Sequence, residues 1–148
     1  MMFEELLPIA CRWVEEQERS ILRDGVLLDP EQLEIGRKIG VRDVGRVRLL
    51  EVDEVPSPQD PVLQAAAEVA GLVSDLTSGL TARYGIFIRS DYWGNRRLLA
   101  HELAHVAQYE RLGGIEPFLR RYLTECLSSG YPNGELEQEA KSVEKRFA

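Results

Sequence analysis

The chain contains two histidines, and they stand four residues apart in the run His101-Glu102-Leu103-Ala104-His105. Four residues is about one helical turn, so on an α-helix both imidazoles project from one face and can reach a single ion. Random placement of two histidines and a glutamate gives this pattern in about one chain in six hundred of this composition, so chance explains it poorly. The flanking residues independently ask for a helix. Asn95 is a good N-cap, Gly113-Gly114 is a stop, and the helix runs from Arg96 to about Leu112. An HExxH run on a helix points to a catalytic zinc: the histidines ligate the ion, and the intervening Glu102 faces the water it would deprotonate as general base.

With both histidines used, the third ligand has to be a carboxylate or a cysteine, and designs closed by a third histidine are excluded. The downstream acids are Glu110, Glu116, Glu125, Glu135, Glu137, Glu139 and Glu144. Glu110 lies on the motif helix, roughly 140° round from His105, and cannot close a tetrahedron there. Glu116 suits the start of a helix beginning at Pro117 and ending near Ser128-Ser129-Gly130. Glu125, on that helix, is placed either to bond a histidine or to face water. After the turn Tyr131-Pro132-Asn133-Gly134 comes a final helix with apolar positions Leu136, Ala140, Val143 and Phe147. Glu137 and Glu139 flank that stripe on opposite sides, and periodicity leaves the choice between them open.

These two segments resemble the gluzincin metallopeptidases, in which HExxH is followed by a helix carrying a glutamate ligand in an ExxxD or E-x-x-A-D pattern. Glu137-Gln138-Glu139-Ala140-Lys141 is similar, and the short gap after the motif looks like the minimal gluzincins. The resemblance covers roughly the last half of the chain. It implies an α+β, zincin-like single domain with a small sheet, and one Zn²⁺ held by His101, His105 and Glu137, with Glu139 the alternative ligand. It implies hydrolysis of a peptide or protein substrate with Glu102 as base, and a strand, Gly85 to Arg89, at the cleft rim pairing with the substrate backbone. Tyr131, just before the Glu137 helix, is the first choice of oxyanion donor, with Tyr109 behind it. Asp91, Tyr92 and Trp93 could line the rim, Trp93 being read rather as a packing residue. Lys141 stands where the family's aspartate orients a histidine, which leaves that contact unassigned. A zinc-binding module that recognises a partner with little or no catalysis is the competing function.

The rest of the sequence bounds this reading. At 148 residues, 44% hydrophobic, the chain makes one domain able to bury a core. A net charge of −7 argues against nucleic-acid and anionic-membrane partners. Residues 1–60 carry 14 acids against 8 bases and form either an integral layer or a removable cover on a catalytic core of residues 61–148. The acidic start and the lack of a long apolar run suggest a cytoplasmic protein, with Cys11 and Cys126 reduced; Cys11 is a remote alternative as a latent zinc ligand. Arg96-Arg97 and Arg120-Arg121 are read as surface ion-pair residues. Expected elements are helices over Pro8–Arg23, Pro30–Ile39 and Pro61–Ala70, the last closed by Gly71; a strand over Arg46–Val52; a proline-rich loop over Val55–Pro61; and a hairpin of Gly79–Tyr84 with Gly85–Arg89, Gly85 a bend or bulge. The oligomeric state has no signature in the sequence.

Overall fold

The structure is a computed structural model that describes residues 3–70 and 77–148. Its helices are α1 (Phe3–Asp24), α2 (Pro30–Ile39), α3 (Pro61–Ala70), α4 (Arg96–Leu112), α5 (Ile115–Ser129) and α6 (Glu135–Glu144). The strands are β1 (Val26–Leu27), β2 (Arg48–Val52), β3 (Gly79–Ala82) and β4 (Gly85–Arg89). They form one mixed sheet in the order β1-β2-β4-β3, parallel only between β2 and β4. A small α+β domain results, as expected. Gly71, expected to close α3, lies outside the described residues.

The period-two alternation of β4 divides the core. Ile86 and Ile88 face α2 and α4, packing with Leu49, Leu99 and Leu103. Phe87, between them, faces α1 and α5 with Ile21, Phe118 and Leu119. Residues 1–60 thus supply a helix layer and an interior strand.

Several local features depart from expectation. α1 begins at Phe3, five residues early, so Pro8 lies inside it rather than in its first turn. Leu6 and Leu7, ahead of the proline, are buried, and that burial offsets the one early backbone bond that proline cannot donate. α5 likewise starts at Ile115, with Pro117 still in the first turn, where no donor is needed. Gly85 is neither bend nor bulge. It pairs regularly with Arg48 and Ala82, and a Cβ there would lie 2.9–3.0 Å from Ile21, so glycine permits the close approach of α1 to the sheet. The strand β4 is interior, with both edges paired, and among the described residues the unpaired edge beside the motif helix belongs to β3.

The turn between β3 and β4 contains Arg83, a non-glycine residue at φ 53°. Glu18 of α1 holds it there. Its two carboxylate oxygens accept from Arg83 Nη2 at 2.8 Å and Nε at 2.9 Å, and Oε2 also accepts from the Tyr84 amide at 3.0 Å.

Glu110, on the outer side of α4, ties down the loop after α2. Its oxygens accept from the backbone amides of Arg42 at 2.8 Å and Asp43 at 3.0 Å, and from the Tyr84 hydroxyl at 2.8 Å. Burial pushes its carboxyl up, but the two amides and the hydroxyl outweigh burial and hold it below the usual range. A depressed folded-state pKa stabilises above the unfolded value near 4.3 and loses that contribution as pH falls through the folded value. Glu110→Gln should therefore cost about 1 kcal/mol at pH 7, allowing for solvent screening, and the gap to wild type should close as pH drops from about 5 to about 3. Denaturant melts across that range measure it; a gap that widens on acidification contradicts the assignment.

Candidate metal centre

α4 is positioned by its ends. Asn95 Oδ1 accepts from the Leu98 amide at 2.8 Å, and Gly113, at φ 103°, closes the helix by returning its amide to the Tyr109 carbonyl. His101, Glu102 and His105 are all buried on the face toward α6 and the open end of the core.

On α6 it is Glu137 that meets them. Its Oε1 lies 2.6 Å from His101 Nε2 and its Oε2 lies 3.2 Å from His105 Nε2. All three donor groups fall within 4.8 Å of one another.

The outer sides of the rings decide what those nitrogens carry. His101 Nδ1 is 2.8 Å from Glu144 Oε1, and an ionised carboxylate only accepts, so Nδ1 bears the proton. His105 Nδ1 is 2.8 Å from Gln108 Oε1, and the Gln108 amide nitrogen is already committed to the Leu136 carbonyl at 2.9 Å and Glu139 Oε1 at 2.8 Å. The Gln108 oxygen must then accept, and His105 Nδ1 is also the donor. In the neutral tautomers both Nε2 atoms turn lone pairs toward Glu137.

Glu137 is 2% exposed, and its Oε1, 2.6 Å from His101 Nε2, has no hydrogen-bond partner. A buried carboxylate atom crowded by lone pairs is costly unless positive charge sits among them. His101 shows the same demand. Burial works against its charged form, yet Glu137, Glu102 and Glu144 push its pKa up to about 9. Glu137 itself is pushed up by burial but held well below the carboxylate range by His101 and His105. A group of two imidazoles and one carboxylate is the donor set of His₂Glu sites. His101, His105 and Glu137 could hold a metal ion.

Three further residues build the site. Tyr122 of α5 donates its hydroxyl to Glu137 Oε2 at 2.6 Å, its ring 5.6 Å from that of His105. Burial and then Glu137 raise its phenol well above the ordinary value. Glu144 and Gln108 orient the two histidines. Spacing could have suggested two of these, since Gln108 is three residues past His105 and Glu144 seven past Glu137, on the same helix faces. Nothing in the sequence marks Tyr122.

Glu102 is equally constrained. Thr81 of β3 donates to Glu102 Oε1 at 2.8 Å and lies 3.1 Å from the Glu102 backbone carbonyl. The Tyr109 hydroxyl donates to the Thr81 carbonyl at 3.3 Å, and its ring stacks on Phe118 with centroids 3.8 Å apart, so Tyr109 supports the site from below.

A cleft of about 520 Å³ opens over the group. Glu102, Tyr122, Tyr131 and Lys141 line it near the donors, and Leu6, Ala10, Trp13 and Val14 of α1 with Leu63 of α3 form an apolar wall. Tyr131 is 42% exposed, and its hydroxyl makes no hydrogen bond among the described residues. Burial, then Glu137 and Glu102, raise its phenol.

The remaining acids have other work. Glu139 accepts from Gln108 and Arg111, Glu125 caps α6 by accepting from the Leu136 amide at 2.9 Å, and Glu116 pairs with Arg120. Cys11 stands outside the donor group, and both cysteines are free. Tyr92 lines the cleft, Asp91 pairs with Arg89, and Trp93 is 42% exposed rather than packed. The arginine pairs are ion-paired as expected, Arg96 to Glu31, Arg97 to Glu144, Arg120 to Glu4 and Glu116, and Arg121 to Glu125 and Glu135. Among the described residues no helix is long and apolar enough to cross a membrane.

No family model, no curated protein and no solved structure matches the chain. What the geometry defines is a small α+β domain with a buried His₂Glu group at the floor of a half-apolar cleft.

Metal analysis of purified variants tests the donor set. Glu137→Ala should drop bound zinc from about one per chain to near zero, while Glu139→Ala leaves it unchanged. Tyr122→Phe should weaken zinc binding by about tenfold, read by competition with a chromophoric chelator. Zinc retained by Glu137→Ala contradicts the site.

Proposed function

We propose that the protein is a zinc-dependent peptidase of the gluzincin type, acting on a peptide or protein segment. One observation carries the reading: a buried carboxylate, one of its oxygens unpartnered, faces two imidazole lone pairs directly beside a glutamate fixed at the cleft. His101, His105 and Glu137 are the residues that would hold the ion. Zinc bound there supplies Lewis acidity, which acidifies water and polarises a carbonyl.

The chain's own groups do the rest. Thr81 holds one oxygen of Glu102, so the carboxylate keeps a fixed orientation as it takes a proton from water and delivers it to the departing amine nitrogen. Water's oxygen becomes bonded to the carbonyl carbon, the carbon–nitrogen bond breaks, and the proton count closes on the new amine. Tyr131, with its hydroxyl unengaged at the cleft, donates to the carbonyl oxygen as negative charge develops. The free edge of β3, whose Thr81 contacts the base, is the backbone rail an extended substrate would follow, in place of β4. Reduced Cys11 and Cys126 fit a cytoplasmic setting.

A zinc-binding module without catalysis is the competing reading. Lys141 stands where the family's aspartate would orient a histidine, and here Glu144 makes that contact to His101.

Glu102→Gln should keep one zinc per chain and lower peptide cleavage by about a thousandfold. A quenched-peptide library with metal analysis on the same samples measures both; equal cleavage by wild type and variant contradicts the peptidase.

A further inference from the structure

Lys141 is the residue that the site leaves over. It lies four residues past Glu137 and three before Glu144, so the three share one face of α6, and that face lines the cleft. On a helix a lysine so placed ordinarily pairs with one of the two acids. Here neither is available. Glu137 is engaged by His101, His105 and Tyr122, and Glu144 by His101 and Arg97. Lys141 makes no ion pair among the described residues, whereas Arg97, the other cation lining the cleft, is tied to Glu144. A cation kept free beside a group of committed carboxylates, in a chain of net charge −7, is a selective feature of the cleft. It offers an incoming anion an attractive point that no carboxylate of the described residues occupies.

We infer that Lys141 binds a carboxylate of the substrate, so that the cleft takes peptides bearing a carboxylate a short distance from the bond placed at the metal. This rests on the peptidase reading for its setting. The carboxylate has two sources, the free C-terminus of a peptide or the side chain of Asp or Glu. An ammonium on a flexible stem suits either, as a point charge without a required bidentate geometry. The apolar wall from α1 and α3 lies across the same cleft, so the anion is held at one side while apolar groups fill the other.

Binding is measured with the full chain carrying Glu102→Gln and loaded with zinc, so that nothing is turned over. The probes are four blocked pentapeptides that differ only in ending as a free acid or an amide, or in carrying Glu or Gln at one internal position of the amide. At least one carboxylate peptide should bind about tenfold more tightly than its neutral counterpart, and the pair affected identifies the source. Adding Lys141→Met should bring that ratio to about one, and Lys141→Arg should restore most of it. Equal affinity within both pairs overturns the inference, as does failure of every peptide to bind. A preference that survives Lys141→Met also overturns it, because the carboxylate is then held by the metal group. Loss of cleavage in wild type with the Lys141-dependent preference intact overturns the peptidase reading alone.

Discussion

The site depends on burying Glu137, a carboxylate, against two imidazoles. Everything around it answers the electrostatic cost of that choice. Tyr122 satisfies one oxygen, and the other meets His101 without a hydrogen bond. Glu144 and Gln108 fix both rings with their outer nitrogens protonated, which directs lone pairs inward. The result is an arrangement stable only with positive charge at its centre, whether a proton on His101 or a divalent ion. An ion held by these donors would take the place of that proton.

Much of α4 and of the donor pattern was legible because the signals are local. Asn95 caps, Gly113 terminates, and the four-residue spacing aligns His101 with His105 within one helix. α2 runs over the expected Pro30–Ile39, its ends fixed by the Asp29 capping box and the left-handed Gly40. Which of Glu137 and Glu139 approaches the histidines was not available from periodicity, because both flank the α6 stripe; it follows from which side of α6 meets α4, a tertiary fact. Gln108 explains the alternative, for it draws Glu139 away from the donor group.

The departures from local preference have the same origin. Pro8 inside α1 and Gly85 inside a regular strand contradict local preference, and in each case packing prevails: Leu6 and Leu7 against the core, Ile21 against the bare backbone of Gly85. The order of the strands could not be read either. β2 comes from the first sixty residues yet lies between β1 and β4, and this is what moves the free edge to β3. Residues 1–60 are accordingly part of the sheet and of the cleft wall, with Glu18 of α1 pinning the turn that connects β3 to β4.

That pinning links the core to the chemistry. Glu18 fixes Arg83 and Tyr84, the two residues joining the strands, and so sets the position of β3 two residues before the turn, where Thr81 holds Glu102. Tyr109, one helical turn beyond His105, reaches back to the same Thr81 through its carbonyl. Glu102 is thus referenced to the rigid sheet and the motif helix, whereas Glu137 is referenced to α6, ten residues long and with no side-chain cap of its own at Gly134. Its first turn is held instead by Glu125 of α5, through the Leu136 amide. A helix this short is marginal alone and forms by docking. Docking of α6 and the presentation of Glu137 are for that reason one equilibrium, so an ion held there would stabilise the C-terminal helix as much as the helix supplies its donor.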